Sequence, residues 1–247
     1  GYGLQKAGHG SLIQAANGRW YVAHLCGRPL GEKKRCVLGR ETSLTEVIWK
    51  DGWLRTADGT NRPPLELEIP DAEGSALSRN MEEEFDKATW SIHLQSLRAP
   101  LGDRASLTER PGWLRLYGAE CPNSTFRQSM LAHRQQSFVC EAETKLEFDP
   151  KDFQHMAGLT YFYNTQCYYY LYVTKDELLG RVLTLICCDS RKGRMLTFNT
   201  AGKEIYLQNG LNAENEVQVQ YEGEITSDDE SASSVVVTAV VDGDKNA

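Results

Sequence analysis

The sequence predicts an all-β protein, and three observations carry the prediction. Short apolar or alternating runs recur along the whole chain, turn-forming residues separate them, and helical periodicity is almost absent. The runs fall into two groups. The first holds residues 11–15, 20–25, 36–38 and 45–50, broken by Asn17-Gly18, Gly27-Arg28-Pro29 and Asp51-Gly52. Asn17-Gly18 between two such runs predicts a hairpin with a type I′ turn, which requires positive φ at both central residues.

The second group holds runs at 113–117, 125–133, 138–148, 157–163, 168–174, 181–188, 204–208, 216–222 and 234–241, a series typical of a β-sandwich. Arg134-Gln135-Gln136, Asn164-Thr165-Gln166-Cys167 and Lys192-Gly193 supply reversals. Only Pro150-Lys151-Asp152-Phe153-Gln154-His155 suggests a helical turn, with proline in the first turn. Between 57 and 80 the composition shifts to Pro63-Pro64, Pro70, Gly74, Ser75 and Ser78, with a brief Leu65-Glu66-Leu67-Glu68-Ile69 alternation. This reads as a boundary and places a first domain at 1–60, a linker at 61–80 and a second domain at 81–247. A single four-stranded sheet built from the first 60 residues leaves an apolar face open, so it needs neighbours.

Composition narrows the class. With 40% hydrophobic and 25% charged residues over 247 positions, the chain has room for a sizeable core. No run reaches the roughly 18 apolar residues of a membrane-spanning helix, and the first ten residues lack the pattern of a leader. A net charge of −7 disfavours a polyphosphate partner. The basic clusters Lys33-Lys34-Arg35 and Arg191-Lys192-Gly193-Arg194 are short and read as solvated loops, so no nucleic-acid partner is expected. Seven cysteines, with no C-x-x-C pair, read as reduced and buried residues of a cytoplasmic protein. Removal of an upstream leader would leave secretion open, and Cys26 and Cys36 could then close a short loop.

Several strings resemble a known family. Ala7-Gly8-His9-Gly10-Ser11-Leu12, then Trp20-Tyr21-Val22-Ala23-His24-Leu25-Cys26-Gly27-Arg28-Pro29, then Cys36-Val37-Leu38-Gly39-Arg40-Glu41-Thr42 resemble, in order and spacing, the last propeller blade of family 43 β-xylosidases. Ser106-Leu107-Thr108-Glu109-Arg110-Pro111-Gly112-Trp113-Leu114-Arg115-Leu116, Arg134-Gln135-Gln136, Gln154-His155-Met156-Ala157-Gly158-Leu159 and Tyr161-Phe162-Tyr163-Asn164-Thr165 are similar to the accessory domain of the same enzymes. The resemblance implies the final blade of a five-bladed β-propeller, followed by a concanavalin A-like jelly-roll β-sandwich that walls off one end of the pocket. It also implies inverting, exo-acting hydrolysis of xylo-oligosaccharides, with α-L-arabinofuranosidase side activity. The intact enzyme is expected to be a homo-oligomer.

In that family the base, acid and modulating carboxylates precede the Gly8-His9-Gly10 string. None of Glu32, Glu41, Glu46, Asp51 or Asp58 lies in a matching motif, so no catalytic residue is assigned. The expectation is a chain that is silent alone and needs an upstream propeller segment. The phenylalanine that the family's sandwich lends to the pocket from a later strand has no counterpart here.

The resemblance makes His9 and Arg40 the substrate-binding candidates. The family's matching histidine points into the central channel and joins the shell of a cation or a water, so the resemblance implies a site for Ca2+ near His9, while no cofactor is required. Without the resemblance, a lone histidine near a strand start is a structural residue. Arg40 offers a fork of donors to vicinal sugar hydroxyls, against the alternative of an ion pair with Glu41 or another acid. Arg28 reads as structural, holding a loop. Trp20, Trp49, Trp53, Trp90 and Trp113 read mainly as packing residues. The tyrosines at 168–170 with Tyr172 read as sandwich packing, the alternative being a saccharide-binding face. The acidic stretch 222–230 lacks calcium-loop spacing and reads as a solvated hairpin tip.

Overall fold

The computed structural model describes residues 3–70, 74 and 80–189, and the strands at 194–199, 205–208, 216–222 and 235–242. Among these residues every regular element is a strand except for one 3-10 turn at Gly102–Arg104. Chain contacts divide the molecule into two units, one of Gly1–Arg79 with Gln136–Phe138 and one of Asn80–Gln135 with Val139–Lys245.

In the first unit β1 (Gln5–Gln14), β2 (Trp20–Gly27), β3 (Glu41–Lys50) and β4 (Trp53–Thr56) form an antiparallel meander in the order β1-β2-β3-β4. Register assigns the faces. Leu12, Trp20, Val22, His24, Val47, Trp49 and Leu54 share one face, while Ile13, Tyr21, Ala23, Leu25, Leu44 and Ile48 share the other. Both faces are therefore apolar, as in a sheet meant to be covered on both sides. Ile13 is 57% exposed, Trp49 56% and Trp53 69%, so apolar surface remains open. Trp20 and Trp49 pack edge to face with ring centroids 6.5 Å apart, and Arg19 binds Glu46 through Nε at 2.7 Å.

The turns differ from expectation in an instructive way. The β1–β2 reversal does contain Asn17-Gly18, but only Gly18 has positive φ, at 81°. Asn17 instead accepts the Arg19 N–H through Oδ1 at 3.1 Å, and Ala15 N–H donates to Arg19 O at 2.9 Å, which makes a longer loop than type I′. The type I′ conformation occurs at Asp51-Gly52, with φ of 53° and 77°, and it creates β4 through the Lys50↔Trp53 pair. The expected strand at 36–38 does not form. Leu30 and Arg35 pair with each other, and Gly39 N–H closes a turn onto Cys36 O at 3.0 Å. In the boundary region Leu65 forms no strand and packs on Gly3, where a Cβ would lie 2.4 Å from Leu65 Cδ1.

The second unit has two principal sheets. It begins with the short pairs β5 (Leu94–Ser96) with β8 (Leu131–His133), and β6 (Ala105–Ser106) with β7 (Arg115–Leu116). Next come β9 (Cys140–Ala142), β10 (Lys145–Leu146), β11 (Ala157–Asn164), β12 (Cys167–Asp176), β13 (Gly180–Asp189), β14 (Arg194–Asn199), β15 (Ile205–Gln208), β16 (Glu216–Glu222) and β17 (Val235–Asp242). One sheet runs β11-β12-β13-β14, and the other runs β10-β17-β16-β15 with β9 also on β17. Alternation on β12 and β13 explains the core. Tyr169, Leu171, Val173, Leu183 and Leu185 form a cluster that Leu146 of the second sheet joins, together with Phe148, Leu159 and Cys187. Tyr168, Tyr172 and Ile186 form a cluster on the opposite face, with Met156 and Phe162. The segment at 150–155 is not helical; Asp152 Oδ1 instead accepts the Gln154 N–H at 2.9 Å, an Asx turn. Residues 191–193 of the second basic cluster and 223–230 of the acidic stretch lie outside the described residues.

This architecture predicts unequal sensitivity to substitution. Leu185 is 1% exposed, so Leu185→Ala is expected to cost about 2–5 kcal/mol by denaturant unfolding. Ile13→Ser on the open face is expected to change stability by less than about 0.5 kcal/mol and to reduce self-association in sedimentation.

Candidate functional site

His9 occupies an irregular part of β1. The register runs Gln5↔Gly27, Gly8↔Leu25 and Ser11↔Ala23, so each step fits three residues of β1 against two of β2. Two β-bulges result. Lys6, with φ 56°, sits in the first, and His9, with φ 49°, sits in the second. Non-glycine residues in the left-handed region are uncommon and cluster at functional sites. Gly10 completes the bulge because a side chain there would meet Val22 Cγ1 at 2.4 Å. His9 is exposed. The buried histidine of this unit is His24, whose Nδ1–H donates to Leu25 O at 3.0 Å and whose Nε2 lies 2.9 Å from Thr45 Oγ1.

Arg40 stands immediately before β3 and is also exposed. Its position follows from its neighbours. Leu38 is buried and anchors the loop, and Gly39, with φ 73°, turns the chain. Gly27 lets the loop approach β2, since a Cβ there would lie 2.9 Å from Cys36 Sγ and 3.5 Å from Gly39 O. Glu41 is held by Arg28, whose Nε lies 3.0 Å from both carboxylate oxygens and whose Nη2 lies 2.7 Å from Oε1. Glu41, one of the acids expected as an alternative partner for Arg40, is thus paired with Arg28, which fits a structural role for Arg28.

Two further carboxylates of this unit have structural duties. Glu46 pairs with Arg19. Asp58 caps a turn, and the Thr60 N–H holds its carboxyl below the usual range, an environment suited to an ionised cap and not to a proton donor. Among the described residues no group of three or more His, Cys, Asp or Glu is arranged to hold a metal ion. Ca2+ takes six to eight oxygen ligands. His9 offers nitrogen, so the described residues of this chain do not by themselves compose that donor set. No described helix is long and apolar enough to cross a membrane.

The tyrosine run resolves toward packing. Tyr168 and Tyr172 are 4% and 5% exposed, Tyr168 stacks on Phe162, and Tyr170 stacks on Tyr172. Burial raises the Tyr170 phenol. Rings so enclosed present no sugar-binding face.

Comparison with known families decides the identity. Residues 82–243 match the family described as "Beta xylosidase C-terminal Concanavalin A-like domain", and residues 1–54 match "Glycosyl hydrolases family 43". The chain belongs to glycoside hydrolase family 43. The four-stranded meander is thus a family 43 propeller blade, and the second unit is the concanavalin-like sandwich.

Among family 43 relatives, a putative β-xylosidase of Escherichia coli K12 is 42% identical over 202 residues, covering 75% of this chain and 37% of its own length. A β-xylosidase of Bacillus subtilis strain 168 is 41% identical over 198 residues, covering 76% and 37%. The crystal structure of xylan β-1,4-xylosidase from Bacillus halodurans C-125 is similar with a TM-score of 0.73 and 38% identity, covering 98% of this chain and 51% of that one. The chain therefore spans 37% of the length of those two curated relatives. Sequence reasoning missed the bulges that carry Lys6 and His9, because a bulge depends on register. The Gly8-His9-Gly10 triplet was the available signal.

Gly27→Ala places a methyl against the Cys36 side chain, so Cys36 is expected to alkylate at least about threefold faster in peptide-resolved mass spectrometry, alongside a lower melting temperature. Unchanged Cys36 reactivity would contradict the close approach.

Proposed function

We propose that this chain forms the closing blade and accessory sandwich of an exo-acting, inverting β-xylosidase acting on xylo-oligosaccharides. The supporting observation is the succession, along one chain, of a family 43 blade and a β-xylosidase sandwich. The Escherichia coli and Bacillus subtilis relatives, 42% and 41% identical over 202 and 198 aligned residues, carry the names putative β-xylosidase and β-xylosidase.

Inversion needs one carboxylate to activate water and one protonated carboxyl group to protonate the leaving oxygen, about 6.5–9.5 Å apart. In this proposal those groups belong to other blades; in this one Glu41 and Glu46 are engaged in ion pairs and Asp58 caps a turn. The blade contributes binding. Arg40 directs its fork of donors at vicinal hydroxyls of the terminal xylose, and His9, held outward by its bulge, lines the channel beneath the sugar through a water-bridged contact. Both act on substrate position and neither exchanges a proton with the glycosidic oxygen.

Two measurements test the reading. The 247-residue polypeptide is expected to release no xylose from 4-nitrophenyl β-D-xyloside. In the complete enzyme that contains it, Arg40→Ala is expected to raise KM about 10- to 100-fold, the loss of charge-assisted hydrogen bonds to substrate. Turnover by the polypeptide alone, or an Arg40→Ala enzyme with parental kinetics, would overturn the assignment.

A further inference from the structure

We infer that Arg28 is a positioning residue that sets the direction of Arg40 through Glu41, and that it makes this direction depend on the remote segment Gln136–Phe138. The inference rests on the reading of Arg40 as a substrate ligand and adds a residue that touches no substrate.

The geometry at Arg28 is that of a hub. Its guanidinium engages Glu41 with Nε at 3.0 Å from each oxygen and Nη2 at 2.7 Å from Oε1. Nη2 also faces the Gln136 carbonyl at 3.4 Å, 108 positions away in sequence. The Arg28 Cζ lies 4.8 Å from the centroid of the Phe138 ring. Arg28 and Glu41 side chains are 29% and 25% exposed, so the pair is largely withdrawn from solvent. Gln136–Phe138 group with this unit, and not with the residues that flank them in sequence.

Each contact constrains a different freedom of the same side chain. Pro29 restricts the backbone of Arg28 to an extended conformation. The ring of Phe138 supports the guanidinium from one side, and the Gln136 carbonyl meets its Nη2. With the guanidinium set, its fork sets the Glu41 carboxylate, and Glu41 is bonded in register to Cys26 as the first residue of β3. Arg40 is the adjacent residue, carried on the short span between buried Leu38 and clamped Glu41. A lysine in place of Arg28 keeps the charge but has neither the two-pronged fork nor a plane to lie on the ring, so it cannot transmit the constraint.

The test uses cleavage at Arg40 itself. Trypsin cuts the Arg40–Glu41 bond only when that span opens, and Arg28 is followed by Pro29, which protects it from the protease. In the 247-residue polypeptide, Arg28→Lys is expected to accelerate cleavage after Arg40 about tenfold. Phe138→Ala is expected to accelerate it about threefold, the scale of one cation–π contact, and the double variant is expected to exceed Arg28→Lys by less than the product of the two. Rates equal to the parent for Arg28→Lys would overturn the positioning role. Acceleration by Arg28→Lys with none by Phe138→Ala would overturn the dependence on the remote segment.

The complete enzyme separates this inference from the functional reading. Arg28→Lys is expected to raise KM for 4-nitrophenyl β-D-xyloside about fivefold with kcat within twofold, and Arg40→Ala to raise it further. Unchanged KM for Arg40→Ala sinks the substrate role of Arg40 and leaves the cleavage result to judge Arg28. Raised KM for Arg40→Ala with parental KM for Arg28→Lys sinks the positioning role alone.

Discussion

A sheet with apolar side chains on both faces cannot complete its own core, and the first unit of this chain is such a sheet. Trp20, Val22 and Val47 project to one side while Tyr21, Ala23 and Leu44 project to the other, by the alternation that any strand enforces. Ile13, Ile48, Trp49 and Trp53 remain substantially exposed. A propeller answers this problem by stacking sheets face against face around an axis. The blade identity, the position of β1 at one edge of the meander and the proposed place of His9 all depend on that two-sided requirement. The second unit solves the same problem internally, since β12 and β13 cover both of their faces within one unit.

The division of labour follows. Glu41, Glu46 and Asp58 of the blade hold ion pairs and a turn, and its candidate binding groups are delivered by backbone irregularities. His9 rides a bulge in a left-handed conformation, and Arg40 follows a glycine turn and precedes the clamped Glu41. Such positions are determined by neighbours and not by local propensity, so a binding residue can be aimed without disturbing the regular strands on either side. In the proposed function the chain supplies shape and hydrogen-bond donors, and the proton transfers occur elsewhere in the propeller.

Elements with strong local patterns were legible in the sequence. The runs at 157–163, 168–174 and 181–188 became β11, β12 and β13 with one or two residues added at their ends, because aromatic and β-branched residues bounded by turn signals leave few alternatives. The Gly-His-Gly and Gly-Arg strings located His9 and Arg40 through resemblance alone. What escaped depended on pairing. Asn17-Gly18 and Asp51-Gly52 are chemically alike, yet only the second adopts type I′, and local sequence does not encode which loop length the flanking strands require. The run at 36–38 looks like a strand, but the pairing of Leu30 with Arg35 sets a tight excursion that leaves it no partner. β5, β6 and β7 are too short to show a period. The meeting of Arg28 with Phe138 joins positions more than a hundred residues apart, and no periodic signal reports it.

The most direct test of the two-sided blade is amide hydrogen exchange on the 247-residue polypeptide. β2 and β3 are interior strands of their sheet, as β12 and β13 are of theirs, so hydrogen bonding alone assigns them similar protection. The account predicts that β2 and β3 exchange at least about a hundredfold faster than β12 and β13, because a sheet that leaves large apolar side chains exposed on each face unfolds locally at low cost. Equal protection in the two pairs of strands would mean that the first unit is stable without neighbours, and would contradict the account.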